Sequence, residues 1–276
     1  MAYKKILTIQ DISCVGQCSL TVALPILSAC GLETCILPSA VLSTHTAGFN
    51  GFTFRDLTDD MPEIQAHWQR ENIKFQAIYT GYLGSIKQVG YVKNILDTMG
   101  TDDCVRVIDP AMADNGKLYS IFNDEYVRAM RGLCASADIL LPNITEACFL
   151  ADVEYRETYD EAYIKGLLEK LTELGAKTVV LTGVSYAPAK TGVVVYKDGE
   201  IQYYQHDKIA GGCHGTGDIY ASAFTGALMN GKELLDAAKI AADYTVKCII
   251  NTQGDKDHWY GAKFETALRD LMDSLN

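Results

Sequence analysis

Short β-type runs alternate with longer amphipathic stretches along the chain, and this alternation constrains the fold more than any other feature. Apolar, strand-like runs fall at 5–9, 33–37, 75–79, 105–108, 139–141 and 178–181. Helical periodicity falls near 19–29, 61–72, 85–98, 124–135, 145–150, 160–174, 219–229, 232–251 and 263–275. Apolar strands separated by helices form a mostly parallel sheet with helices on both faces, an α/β architecture. Pro25 lies inside the first helical pattern and should kink that helix or mark its true start. The runs 192–196 and 201–205, joined through Lys197-Asp198-Gly199-Glu200, read as a β-hairpin. Segment 39–60, rich in Thr, Gly and Phe with weak periodicity, reads as a long substrate loop or lid. No internal repeat or Pro/Ser-rich linker divides the chain, so one domain over 1–276 is expected.

Charge and cysteine content exclude several classes of function. The formal charge is −11, without a basic stripe, which argues against nucleic-acid binding. Apolar runs stop short of the roughly 20 residues that span a bilayer, so no membrane partner is expected. Gln10 and Asp11 end the N-terminal apolar run too early for a signal peptide. Nine cysteines without a C-x-x-C pair argue against a disulfide framework or zinc site, and the expected compartment is the cytoplasm. An anionic ligand meets a repulsive overall field. Holding a phosphate therefore requires backbone N–H groups, a few lysines and a divalent cation.

Gly211-Gly212-Cys213-His214-Gly215-Thr216-Gly217-Asp218 precedes the small, apolar Ile219-Tyr220-Ala221-Ser222-Ala223-Phe224. Glycines let several N–H groups face one point, and a helix starting there turns its positive end toward that point. Such a nest holds a phosphate. Asp218, in the first helical turn, can accept a proton from a hydroxyl being phosphorylated, or can merely cap the helix. Cys213 lies beside the nest without marks of a nucleophile. The glycines do not form the dinucleotide pattern G-x-G-x-x-G, and Gly226-Ala227-Leu228-Met229-Asn230-Gly231-Lys232 opens like a P-loop but continues with Glu233 where Ser or Thr is needed. The latter reads as a helix end.

The residues after the strand-like runs are Gln10-Asp11, Pro38-Ser39, Thr80-Gly81-Tyr82, Asp109-Pro110, Pro142-Asn143 and Thr182-Gly183. Doubly wound sheets bind ligands beyond these carboxyl ends. Asp109 and Glu146 sit at neighbouring strand ends, where one or two carboxylates suit Mg²⁺ carried with a nucleotide. Taken singly, Asp109 is also an ordinary turn residue before proline and Glu146 an ordinary first-turn carboxylate. Thr44-His45-Thr46 can hydrogen-bond a small polar ring or serve structure, and Tyr82 can stack on a flat substrate or pack a turn.

Several separated motifs, in order, resemble the ribokinase superfamily and within it the pyridoxal/pyridoxine/pyridoxamine (vitamin B6) kinases. They are Thr8-Ile9-Gln10, Ser43-Thr44-His45-Thr46, Thr80-Gly81-Tyr82-Leu83-Gly84-Ser85, Asp109-Pro110-Ala111-Met112, Pro142-Asn143-Ile144-Thr145-Glu146 and Gly215-Thr216-Gly217-Asp218. The resemblance implies a ribokinase-like fold with a small lid or hairpin region, and ATP-dependent phosphorylation of the 5′-hydroxymethyl of a B6 vitamer. It implies Asp218 as catalytic base and the N–H groups of Gly215, Thr216 and Gly217 as anion hole. Asp11, His45, Thr46 and Tyr82 then line the vitamin pocket, while Asp109, Asn143, Glu146 and Thr182 face ATP. Asp109 and Glu146 hold Mg²⁺ directly or through water. Such kinases are usually homodimers, and many respond to a monovalent cation.

One position departs from the pattern: where these kinases typically carry a Ser that touches the substrate ring, this chain has Asp11. A carboxylate there suits a cationic amine, which predicts improved use of pyridoxamine. It also keeps open the related hydroxymethylpyrimidine kinases, whose substrate is an aminopyrimidine. A noncatalytic vitamin or nucleotide sensor on the same fold is a third reading. With an ordinary carboxylate pKa near ~3.9, Asp218 would orient the hydroxyl and take its proton late.

Overall fold

A computed structural model describes residues 3–211 and 213–276. The elements follow in the order β1 (Lys5–Ser13), α1 (Leu20–Ala29), β2 (Glu33–Leu42), β3 (Phe54–Asp56), α2 (Met61–Arg70), β4 (Phe75–Thr80), α3 (Ile86–Thr98) and β5 (Gly100–Ile108). Two short strands, β6 (Ala113–Asp114) and β7 (Lys117–Leu118), precede α4 (Asp124–Cys134), β8 (Ile139–Leu140), α5 (Ile144–Ala151) and α6 (Glu161–Glu173). Then come β9 (Thr178–Val184), β10 (Lys190–Lys197), β11 (Glu200–Asp207), α7 (Thr216–Met229), α8 (Leu234–Thr252), a 3₁₀ turn (Phe264–Ala267) and α9 (Leu268–Ser274).

The alternation of strands and helices leads to the expected sheet. Nine strands lie in the order β11-β10-β9-β8-β5-β4-β1-β2-β3. The run from β9 to β2 is parallel, while β3, β10 and β11 add antiparallel edges. Period-two alternation sends side chains to two cores. Leu7, Ile9, Ile78, Val179 and Leu181 pack under the face that carries α2 to α6. Ile6, Ala77, Tyr79 and Val180 pack under α1, α7, α8 and α9. After β1 the chain moves outward to β2, then returns to place β4 on the other side of β1. This reversal opens a crevice beyond the carboxyl ends of β1 and β4, where such sheets bind ligands.

Several local expectations are corrected. Pro25 lies within α1, which begins at Leu20, so it does not mark the helix start. Segment 39–60 is not a continuous loop: β2 runs to Leu42, and β3 pairs with it antiparallel through Ala40↔Asp56 and Leu42↔Phe54. Its irregular parts are the tip between these strands, which forms a flap, and the turn over 57–60 that leads into α2. β1 continues through Gln10 and Asp11 to Ser13, with a register shift between Gln10 and Ile12. Pro38, Ser39, Thr182 and Gly183 likewise lie inside strands. The hairpin holds as β10 and β11, and the apparent P-loop is the end of α7, with Gly231 in the left-handed region at φ 86°.

Candidate active site

The glycine loop brings the N-terminus of α7 to the crevice. Gly215 caps the helix at φ 76°, a left-handed conformation, and a Cβ there would overlap the Gln17 carbonyl oxygen. Only glycine lets the loop pass this close. The first-turn N–H groups of a helix lack partners in the helix itself, so Thr216 and Gly217 present theirs at a positive helix end. Gly212, counted in this loop from the sequence, lies outside the described residues. Cys213 is half-buried and burial pushes its thiol up, the opposite of an activated nucleophile.

Asp218 stands in the first turn of α7, where its Oδ2 accepts the Ser19 N–H at 2.9 Å. Burial pushes its carboxyl up to about 7; the Ser19 N–H pulls it down, and the Asp11 charge adds to the rise. The expectation of an ordinary carboxylate is therefore corrected. Burial and the nearby Asp11 charge disfavour the ionised form.

Asp11, at the end of β1, is only 5% exposed. Its Oδ1 accepts the Ser19 hydroxyl at 2.6 Å and its Oδ2 the Ser13 hydroxyl at 2.9 Å. Burial raises its pKa against the pull of these two donors. Tyr82, after β4, is half-buried and feels the Asp11 charge; burial first and that charge second push its phenol up to about 12. Its ring lies 5.7 Å from that of Phe122, which leaves an aromatic wall beside Asp11.

His45 lies on the flap and is buried, with both ring nitrogens engaged by backbone. Nδ1 accepts the Ala47 N–H at 3.1 Å, so Nε2 carries the proton and donates to the Tyr260 carbonyl at 2.7 Å. The ring also packs near Phe49 and His214, at centroid distances of 5.0 and 5.4 Å. Phe49 in turn lies 4.6 Å from Trp259. His45 thus ties the flap to the 258–260 segment and to the glycine loop. Thr46 is exposed at the rim.

The expected nucleotide residues gather at the ends of β5, β8 and β9. Glu146 and Asn143 form a reciprocal capping box at the start of α5. Glu146 is buried, and its two oxygens accept the N–H groups of Met112 at 3.1 Å and Asn143 at 2.9 Å. The Asn143 amide donates to the Ala113 carbonyl at 2.9 Å. Thr182 donates its hydroxyl to the Pro142 carbonyl at 3.3 Å, in register with Asn143. Glu146 and Asn143 thereby hold the loop after Asp109, while Thr182 steadies the Pro142–Asn143 turn beside it.

Asp109 is buried, and its carboxyl is pushed up by burial and then by the charges of Glu146 and Asp218. Burial also raises Glu146, against the backbone donors that hold it down. Carboxylates from the end of β5 and from the first turns of α5 and α7 act on one another, and no Lys or Arg figures among the groups that perturb Asp109, Glu146 or Asp218. That donor set fits a hard divalent cation bound partly by ligand phosphates. Among the described residues no group of three or more His, Cys, Asp or Glu is arranged to hold a metal unaided.

Sequence reasoning missed Ser13, Ser19, Gln17 and the Trp259-Tyr260-Gly261 segment. Ser13 ends β1 and Ser19 precedes α1, and neither position carries a local signal that it serves Asp11. The 258–261 segment has none, because it meets the flap solely through tertiary packing.

A family model described as Phosphomethylpyrimidine kinase matches residues 24–261. The chain is 39% identical to a candidate phosphomethylpyrimidine kinase of Bacteroides thetaiotaomicron crystallised with pyridoxal, with a TM-score of 0.91 over 98% of this chain and 96% of that one. It is 31% identical to the pyridoxal kinase of Lactobacillus plantarum, with a TM-score of 0.91 over 98% and 97% of the two chains. It is also 28% identical to the thiamine biosynthetic bifunctional enzyme of Arabidopsis thaliana, over 87% of this chain and 47% of that one. The chain thus spans about half the length of that curated relative.

Proposed function

The chain belongs to the phosphomethylpyrimidine kinase family, and from that premise we propose that it transfers the γ-phosphoryl of ATP to the 5′-hydroxymethyl of a B6 vitamer. Pyridoxal, pyridoxine and pyridoxamine are the substrate class. The observation that carries the reading is Asp218, lifted to about 7 beside the glycine-capped N-terminus of α7. A carboxylate so tuned accepts a proton from the attacking hydroxyl, while the adjacent N–H groups of Gly215, Thr216 and Gly217 stabilise charge on the transferred phosphoryl. The Tyr82 ring orients a flat substrate at the crevice, and the flap with His45 and Thr46 closes its open side.

Mg²⁺ bound with ATP would supply neutralisation of phosphate charge, and Asp109, with Glu146 behind it, would hold it. Asn143 keeps the loop after Asp109 in place on the nucleotide side, and Thr182 steadies the Pro142–Asn143 turn next to it. A single kinase domain acting as a homodimer, with a monovalent cation assisting, completes the proposal.

Hydroxymethylpyrimidine kinase is the second reading, favoured by Asp11 where a B6 kinase typically has Ser. ADP release from Mg-ATP, measured in parallel with the three vitamers and hydroxymethylpyrimidine, separates the two. Turnover on a vitamer is expected. Turnover on the pyrimidine alone would keep the chemistry and replace the substrate, and ATP binding without turnover on all four would favour a sensor.

A further inference from the structure

We propose that Asp11 and Ser19 form a positioning relay, in which the Asp11 carboxylate grips the Ser19 hydroxyl so that the Ser19 N–H is aimed at Asp218. The proposal rests on the reading of Asp218 as proton acceptor. Ser19 adopts φ 55° and ψ −134°, a conformation that favours glycine and strains a serine. It also occupies the N-cap position of α1, where a serine hydroxyl ordinarily accepts a first-turn N–H, yet makes no such bond. Its hydroxyl instead donates to Asp11 Oδ1 at 2.6 Å, and its N–H donates to Asp218 Oδ2 at 2.9 Å. Two local preferences are overridden at one residue, and both concessions lead to carboxylates of the site.

The surroundings hold the relay in place. The register shift in β1 falls at Asp11, and such irregularities re-aim a side chain. Ser13 donates to the second Asp11 oxygen at 2.9 Å, fixing the carboxylate plane. Ser19 bridges back to Ile12 in antiparallel fashion, so the loop between them is closed on itself. Asp11 and Ser19 are each only 5% exposed, which leaves little solvent to compete. Ser19 acts through Asp218 and is a positioning residue.

The groups facing Asp218 are Asp11 from β1, Cys18 beside Ser19, Tyr79 from β4, Asp109 after β5 and Tyr119 after β7; His45 and Tyr82 face Asp11. Burial raises the Cys18, Tyr79, Tyr82 and Tyr119 hydroxyls and thiol further, so these stay neutral near pH 7. An N–H donor to a carboxylate lowers its pKa, and a neighbouring negative charge raises it. Loss of the Ser19 contact and loss of the Asp11 charge therefore move Asp218 in opposite directions.

The test is steady-state ADP release by the full chain between pH 6 and 9, with Ser19→Ala, Ser19→Gly, Asp11→Asn and Asp218→Asn. Alanine cannot hold φ 55° without the anchor, so Ser19→Ala should lose about tenfold or more in kcat with the KM for Mg-ATP kept within about twofold. Ser19→Gly reaches that conformation freely and should fall between Ser19→Ala and the unaltered chain. The acid limb of kcat should move to higher pH in both Ser19 variants and to lower pH in Asp11→Asn, which keeps an acceptor but not the charge. A folding defect would not give shifts of opposite sign. If Ser19→Ala does not fold, Ser19→Gly alone must show lost kcat and the upward shift. Unchanged kcat at position 19, or limbs that do not separate, overturns the relay. Should Asp218→Asn lose turnover while the Ser19 variants keep it, the relay alone fails; full turnover by Asp218→Asn would remove the catalytic reading as well.

Discussion

Asp218 faces a difficult exchange, because an alcohol gives up its proton reluctantly and an ordinary carboxylate is a weak acceptor. Raising its pKa to about 7 narrows that gap. The same shift sets a pH dependence: the base is ionised above about 7, and turnover should fall as the pH drops below that value. Replacing Asp218 by Asn keeps the shape and removes the base, so kcat should fall by about 100-fold or more, with ATP binding retained. Calorimetric titration of Mg-ATP beside the rate measurement checks both halves, and a loss under about threefold would remove Asp218 from the chemistry. Gly215→Ala should be as damaging for a steric reason, since the new methyl meets the Gln17 carbonyl and the backbone must leave φ 76°. Its expected signature is loss of turnover together with a lower melting temperature. Gly215 and Asp218 were legible in the sequence because a glycine nest opening a small, apolar helix is a local pattern. The raised pKa was not, because it arises from burial in the folded chain and from the Asp11 charge on β1, against the pull of the Ser19 N–H.

At the level of elements, α5 and the flap show how neighbouring segments shape the crevice. Glu146 and Asn143 are readable as strand-end polar residues, and their capping box follows from spacing alone. The bond from the Met112 N–H to Glu146 is long-range and left no trace in the sequence. Segment 39–60 looked structureless because β3 has three exposed residues, Phe54-Arg55-Asp56, without alternation; its identity as a strand comes from pairing with β2. The start of β5 was hidden for a similar reason, since Thr101-Asp102-Asp103 carries no apolar signal. The flap gains order through Phe49 against Trp259 and through His45 on the Tyr260 carbonyl. Trp259 is half exposed, so its truncation leaves no core cavity. Trp259→Ala should therefore loosen the flap without unfolding the chain, raising the KM of the hydroxymethyl substrate several-fold, on the order of 1 kcal/mol of aromatic contact. The KM for Mg-ATP should hold. Equal increases in both values would place the flap outside the small-substrate pocket.

Across the whole molecule, the carboxylates that make the site should also set how stability depends on pH. Asp11, Asp109, Glu146 and Asp218 all have folded-state pKa values raised by burial above their ordinary range, Asp218 to about 7. Between the unfolded values near ~4 and the raised ones, the folded chain binds more protons than the unfolded chain, so stability must fall as pH rises. Asp56 is held low by hydrogen bonds from Thr58 and Gln88, Asp207 by Lys190 and Asp255 by Lys263, and all three act in the opposite sense. Those three are exposed and screened by salt, so the buried group dominates. The melting temperature without ligand should therefore decline from about pH 5.5 to 8, the window covered by the raised values. Asp109→Asn removes one buried charge and its repulsion of Glu146 and Asp218, which should flatten that decline. The cation carried with ATP binds the ionised carboxylates preferentially, so Mg-ATP should raise the melting temperature more at pH 8 than at 5.5. Thermal melts of the unaltered chain and Asp109→Asn, each with and without Mg-ATP, check this. A ligand-free melting temperature that climbs over the same range would mean that the surface carboxylates govern stability and that the site charges are compensated from within the fold.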